Sequence, residues 1–329
     1  MRAHGARWRM YFAAFLAVAS LAPGIPTMTD YIADRTVAAE RNGMRSSILQ
    51  PNSWSDEKLT IANLGHATML IDFFGVRVLS DPSLFDRVGF SIEPLFTIGP
   101  RRIVPAPLGP DDLSSINVIL ITHAHMDHLD VPSLRVLPKN AVVVACSGCA
   151  KLVGPLGYSD VRELRWGQAT EIAGLKITAM GARHWGKRWP PFGGSYGFNS
   201  YVLEKNGRRM LVACDSAYTD LFGALATTPP DIAAFSIGAY DPWIWNHANP
   251  EEVWRMFRQT DAKYIVPIHW GTFKLSNEPM DEPIRRLEAA AGAEENRIVI
   301  RDIGGVWTFP QEPETPHAMS VNLSAARGR

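Results

Sequence analysis

The stretch Ile116-Asn-Val-Ile-Leu-Ile-Thr122-His123-Ala-His125-Met-Asp127-His128 decides how this chain folds. Its first part is an apolar run with the length and β-branched content of a buried strand. Its second part sets three imidazoles and a carboxylate within six positions, where the strand ends and a loop begins. Side chains on an extended backbone repeat every two residues, so His123 and His125 point the same way. Asp127 and His128 turn with the loop toward a second point nearby. One metal ion is poorly placed to use all four donors, whereas two neighbouring ions can. The whole chain holds only nine histidines, so a chance His-rich surface loop is a poor account of the cluster. It reads as a metal site.

Outward from this stretch the pattern stays rich in strands. Leu59-Thr-Ile-Ala-Asn63, Thr68-Met-Leu-Ile-Asp72 and Val76-Arg-Val-Leu-Ser80 are short apolar or alternating runs, with Gly75 marking a turn between the last two. Ala141-Val-Val-Val-Ala145, Leu175-Lys-Ile-Thr-Ala179, Tyr201-Val-Leu-Glu204, Met210-Leu-Val-Ala213 and Tyr264-Ile-Val-Pro-Ile268 continue the series. Asn249-Pro250-Glu251-Glu252 carries a capping side chain, a first-turn proline and acids facing the helix dipole, which predicts a helix start. A second helix is predicted from Glu282 to about Ala291. Strands with interspersed helices and no composition break predict one α/β domain of packed sheets flanked by helices.

Three later polar residues fall in matching places. His184 follows the strand ending at Ala179, Asp215 follows Met210 to Cys214, and His269 follows Tyr264 to Ile268. Each lies just past the carboxyl end of an apolar run, as His123 does. Singly, each reads as a turn residue. Together they let one edge of the sheets gather seven donors: His123, His125, Asp127, His128, His184, Asp215 and His269. Three protein ligands plus a shared water suit each of two zinc ions.

Composition bounds the rest. The chain has 329 residues, 46% of them hydrophobic, enough for a sizeable core. Lys+Arg and Asp+Glu both number 33, so no basic field is available for nucleic acid. Cys146, Cys149 and Cys214 do not form a disulfide framework. Cys146-Ser-Gly-Cys149 lacks a second pair for structural zinc and is expected to be two buried or loop cysteines, with a redox pair as the alternative.

Arg2, Arg7 and Arg9 precede the uncharged run Met10 to Ala22, which is shorter than the roughly 18 to 20 residues of a spanning helix. Residues 1–24 are therefore expected to be a signal peptide or membrane anchor of an exported protein. Residues 25–53 are a polar lead-in, 54–310 the catalytic domain, and 311–329 a tail expected to be disordered.

The His-x-His-x-Asp-His motif, followed in order by His184, Asp215 and His269, resembles the metallo-β-lactamase fold superfamily. Gly65-His66-Ala67-Thr68, Ser80-Asp81-Pro82, Ile237-Gly-Ala-Tyr-Asp241-Pro242, His247-x-x-Pro250-Glu251, Ile268-His-Trp-Gly-Thr-Phe273 and Asn277-Glu278-Pro279 are similar to the N-acylphosphatidylethanolamine-hydrolysing phospholipase D family. The likeness covers roughly residues 54 to 308. It implies a four-layered αββα sandwich, a dinuclear zinc centre and phosphodiester hydrolysis. His123, His125 and His184 would then hold one metal, Asp127, His128 and His269 the other, and Asp215 would bridge them. Cys214-Asp215-Ser216 stands where Gly-Asp-Thr is usual in that family.

Two metals about 3.5 to 4 Å apart share a water, lower its pKa toward neutrality and aim it at phosphorus or at a carbonyl carbon. Asp127 and Asp215 are the expected catalytic carboxylates. His247 either protonates the leaving alcohol or orients the ligands. His66 either touches the metal pocket or bonds a backbone carbonyl, the structural role being the expected one. Trp185 to Phe192, Leu84-Phe85 and Leu95-Phe96 are expected at the mouth, admitting an acyl chain or resting on a membrane surface. The expected partner is a small-molecule or phospholipid substrate, and no nucleic acid. The alternative is the same fold acting on a lactone, thioester or β-lactam. Iron or manganese would suit the same donors. A di-iron redox member would be expected to carry Glu in the first cluster, where this chain has His125.

Overall fold

Alternation along each strand builds the molecule outward from its middle layer. The computed structural model describes residues 49–92, 96–188 and 194–310. The expected leader, most of the lead-in, the tail from 311, Leu95 and the Trp189 to Phe192 part of the mouth lie outside the described residues.

One sheet combines β1 (Leu59–Gly65), β2 (Thr68–Phe73), β3 (Arg77–Ser80), β6 (Val118–Ile121), β7 (Val142–Cys146), β8 (Val161–Leu164) and β15 (Val306–Thr308). A two-stranded pair, β4 (Phe90–Ile92) and β5 (Phe96–Ile98), stands apart from it. The second sheet holds β9 (Ala169–Ile172), β10 (Leu175–Met180), β11 (Ser200–Lys205), β12 (Arg208–Val212), β13 (Ile232–Ser236) and β14 (Tyr264–Ile268). Strand order is β15-β1-β2-β3-β6-β7-β8 in the first and β14-β13-β12-β11-β10-β9 in the second. β3, β6, β7 and β8 run parallel, as do β12, β13 and β14.

β6 shows how the layers arise. Val118 and Leu120 face a central core shared with Ile177, Leu203, Val212 and Val266 of the other sheet. Ile119 and Ile121 face away, into a second cluster with Leu134 and Val153. Those two belong to the short helices α1 (Val131–Val136) and α2 (Ala150–Val153). The outer face of the second sheet packs Leu211, Ala233 and Phe235 against α3 (Pro250–Gln259) and α4 (Glu282–Ala291) through Val253, Phe257 and Leu287. The result is the αββα sandwich that the motifs implied. Both faces of the inner strands are buried, which is why β6 is a continuous apolar run and not an alternating one.

α3 starts as its sequence predicts. The Asn249 side chain accepts from the Glu252 amide at 2.9 Å, and the Glu252 carboxylate accepts from the Asn249 amide at 3.2 Å. Leu49 and Pro51, at the end of the lead-in, are buried, with Leu49 in the outer cluster of the first sheet. The cysteine expectation holds in its buried part. Cys146 and Cys149 are buried, and they are joined to each other as a disulfide across the turn from β7 into α2, the pairing that the redox alternative requires. That turn, with Gly148 at φ +86°, brings their Cα atoms to 5.8 Å. Among the described residues no helix is long and apolar enough to cross a membrane.

Candidate metal centre

The strands of both sheets deliver their polar followers to one edge. His123 follows β6, Asp81 follows β3, Asp215 lies beyond β12, His184 beyond β10, and His269 directly after β14. His66 occupies the turn between β1 and β2, and His247 lies just before α3. His66 and His269 have φ of 56° and 63°, and the His269 amide donates to the His66 carbonyl at 2.8 Å. Left-handed backbone at two imidazoles of one site is strain concentrated where the cluster forms.

All seven donors expected from the sequence come together. His123, His125 and His184 form one group, with His123 Nε2 2.9 Å and His184 Nε2 3.2 Å from His125 Nδ1. Asp127, His128 and His269 form a second group, joined by His66. Asp127 Oδ2 lies 2.9 Å from His66 Nε2, 3.4 Å from His269 Nε2 and 3.6 Å from His128 Nε2. Asp215 stands between the groups. Its Oδ2 is 3.0 Å from Nε2 of both His128 and His269, and 3.9 Å from His123 Nε2.

A layer of polar contacts turns these rings. Asp81 Oδ2 meets His128 Nδ1 at 2.8 Å and accepts from the Thr122 hydroxyl at 2.6 Å, while Oδ1 accepts from the Thr122 amide at 2.8 Å. The Thr122 hydroxyl also lies 3.0 Å from His123 Nδ1, and Cys214 Sγ 3.5 Å from it. His184 Nδ1 meets the Asn246 carbonyl at 3.1 Å. Contacts on one ring nitrogen leave the other to face the centre, the usual arrangement around a metal-binding histidine.

Burial and crowding set the charges. Burial, reinforced by its imidazole neighbours, holds His123 well below the ordinary range. Burial carries His66 and His184 down to about 3, and His247 to about 4. Burial also opposes charge on His269, but Asp215 and Asp127 outweigh it and push that imidazole up to about 9. His128 likewise ends well above its ordinary value against burial, through Asp215, Asp127 and Asp81. Both carboxylates, Asp127 and Asp215, are held well below the usual range, because the nearby imidazoles overcome their burial.

The donor set fits a metal. His128 Nε2, His269 Nε2 and His247 Nδ1, all turned toward Asp215, are buried with no hydrogen-bond partner among the described residues. A buried unpaired polar atom costs ~1–3 kcal/mol, and unpaired imidazole nitrogens in one place are what a bound cation satisfies. Imidazole and carboxylate donors suit zinc, iron or manganese alike.

His66 departs from its expected structural role, since its ring lies against Asp127 inside the second group. Asp81 was visible only as part of a motif. Its signal was its place just past β3, the position shared by the other donors. His247 comes near the centre, with Nδ1 3.8 Å from Asp215 Oδ2. Trp185 is about half exposed, with its ring 4.9 Å from that of His125.

The fold and its cluster of buried donors define a metal-dependent hydrolase of the metallo-β-lactamase fold. Residues 76–270 match the Beta-lactamase superfamily domain, and the chain belongs to that superfamily. It is 30% identical over 275 residues to an uncharacterised protein of Mycobacterium bovis, spanning 80% of this chain and 73% of the relative. It is 29% identical over 276 residues to N-acyl-phosphatidylethanolamine-hydrolyzing phospholipase D 1 of Caenorhabditis elegans, spanning 77% of this chain and 76% of that enzyme. Among solved structures, a possible metal-dependent hydrolase from Veillonella parvula shares the fold at a TM-score of 0.62 and 20% identity, covering 77% of this chain and 100% of that one.

Proposed function

We propose that the protein is a zinc phosphodiesterase of phospholipase D type, acting on N-acylphosphatidylethanolamine-like glycerophospholipids. The observation that carries this reading is the place of Asp215, one oxygen of which lies 3.0 Å from imidazoles of the second group and 3.9 Å from the first. A carboxylate so placed suits two cations, and two adjacent cations suit the two non-bridging oxygens of a phosphodiester. Similarity to the nematode phospholipase D over three quarters of both chains supports the lipid substrate. The basic-then-apolar leader supports an exported or membrane-anchored enzyme with a phospholipid surface within reach.

His123, His125 and His184 would hold one zinc ion and Asp127, His128 and His269 the other, with Asp215 placed between the two groups of residues. When bound, such a pair lowers the pKa of a shared water and neutralises charge developing on the phosphoryl oxygens. Asp127 is steered by His66, so its free lone pairs orient the attacking water. Asp81 and Thr122 fix the rings of His128 and His123. His247 faces Asp215 as a neutral imidazole, so its role is to steady that carboxylate, and the leaving alcohol takes its proton from water. No side chain needs to act as a nucleophile.

The test is incubation of the purified, full-length chain with N-acylphosphatidylethanolamine, with mass spectrometry of the products. The expected result is N-acylethanolamine and phosphatidic acid, lost on chelation and restored by zinc. Intact lipid with two metals bound would move the assignment to carbonyl substrates such as lactones.

A further inference from the structure

Beside the first histidine group the surface opens into a groove of about 330 Å³, lined by Ser147, Arg165, Trp166, Gly197, Phe198 and Asn199. Its inner end is part of the centre's own framework. Phe198 pairs with His123 through the backbone, and its ring lies 6.3 Å from that of His184. Trp166 continues the wall, 5.6 Å from Phe198 ring to ring, and its indole N–H donates to the Phe198 carbonyl at 2.7 Å. That bond holds the indole in place although Trp166 is about half exposed. Leu221, also half exposed, extends the apolar side. A Cβ at position 181 would stand 3.3 Å from Leu221 Cδ1 and 3.4 Å from Trp166 Cε3, so Gly181 lets the two approach.

This wall meets the conditions for a ligand subsite. A large aromatic fixed by a hydrogen bond and left half open to solvent keeps apolar surface that folding does not bury, and it offers that surface at little further entropic cost. The groove also has a polar partner. Arg165 is exposed and forms no ion pair among the described residues, while its backbone is tied to Gln168. An apolar wall running away from a reaction centre, with an arginine among its lining residues, matches a hydrocarbon chain headed by a hydrogen-bond acceptor. It does not match a compact or polyanionic ligand.

We infer that this groove is the subsite for a fatty acyl chain of the substrate, with the chain along Phe198, Trp166 and Leu221 and the Arg165 guanidinium donating to the carbonyl that heads the chain. The inference rests on the phosphodiesterase reading for its substrate but not for its geometry. The groove selects for acyl length and for the carbonyl, and the metal centre supplies reactivity. Each methylene laid on the wall leaves water, so affinity rises with chain length until the wall ends.

The test uses full-length protein, native and with Trp166→Ala or Arg165→Ala, in two measurements. The first is turnover of mixed p-nitrophenyl phosphodiesters whose second ester carries a short, medium or long N-acylaminoethyl chain, or an alkyl chain lacking the carbonyl. The second is calorimetric binding of N-acylethanolamines of the same lengths, which needs no turnover. In the native protein both kcat/KM and affinity should rise with chain length. Trp166→Ala should flatten that rise about tenfold. Arg165→Ala should remove the preference for acyl over alkyl, and Arg165→Lys should restore part of it. Chain-length dependence that is missing in the native protein, or unchanged in both alanine variants, overturns the groove. Graded binding without turnover of any phosphodiester overturns the phosphodiesterase reading and leaves the groove standing.

Discussion

Asp81 and His128 meet at 2.8 Å, Oδ2 to Nδ1, and this contact leaves Nε2 of His128 directed at Asp215. The same Asp81 carboxylate accepts from the Thr122 amide and hydroxyl, and Thr122 in turn touches His123. One buried carboxylate therefore orients a ring in each half of the centre. Asp81→Ala leaves three buried donors without an acceptor, at ~1–3 kcal/mol for each unsatisfied group. It should also weaken metal binding ~10- to 100-fold, the usual effect of losing such a partner. Metal content after dialysis against a metal buffer, beside a thermal melt, reads both effects.

Asp215→Asn tests the bridge. The amide keeps the shape and loses the charge, so the fold should survive with an unchanged circular dichroism spectrum. Hydrolysis should fall by more than the ~10- to 100-fold typical of an outer partner, and bound metal should drop below the native content. Near-native turnover would refute the bridging role.

Proton release should accompany metal binding. In the metal-free protein His269 is pushed up to about 9, and His128 also lies above its ordinary range. Both are therefore protonated at neutral pH and must lose those protons to act as ligands. For His269 the folded value lies above the unfolded one near 6.5. Its contribution to metal-free stability is thus fully present below about 6.5 and lost as pH rises through about 9. Melting of chelated protein should fall across that window while metal affinity climbs. Calorimetry of zinc binding in buffers of different ionisation enthalpy counts the protons, and a count of zero at pH 7 would contradict the charge assignment.

Phe257 measures the outer layer. It is fully buried in the cluster between α3 and the second sheet. Phe257→Ala should cost ~3–5 kcal/mol. In a chain of this size that is a fall of ~10 °C in Tm. Activity well below the new melting point should persist, because no donor of the centre comes from that layer.

The sequence announces this centre where an apolar run ends in His or Asp, as at Ile121, Val212 and Ile268, because strand-end loops are where a sandwich presents function. Other parts were hidden for physical reasons. β13 reads Ile232-Ala-Ala-Phe-Ser236, and its alanines carry little strand preference. Burial on both faces, between β12 and β14, makes it a strand. β8 and β9 lie at sheet edges and carry charged residues, which blurs their periodicity. α1 has only six residues, too few for a helical repeat. His66 was ambiguous because its partner Asp127 lies 61 positions away, and only the sandwich brings the two together. The Cys146–Cys149 pairing depended on the tightness of a turn that spacing alone does not reveal.

Every histidine between residues 49 and 310 belongs to the neighbourhood of the centre: His66, His123, His125, His128, His184, His247 and His269. His4 and His317, the other two in the chain, lie outside the described residues. Histidine-selective nitrogen-15 labelling therefore yields a spectrum that, apart from two signals, belongs to a single place in the protein. Tautomer, protonation and metal arrival can each be followed there as separate resonances, with no mutation and no added reporter.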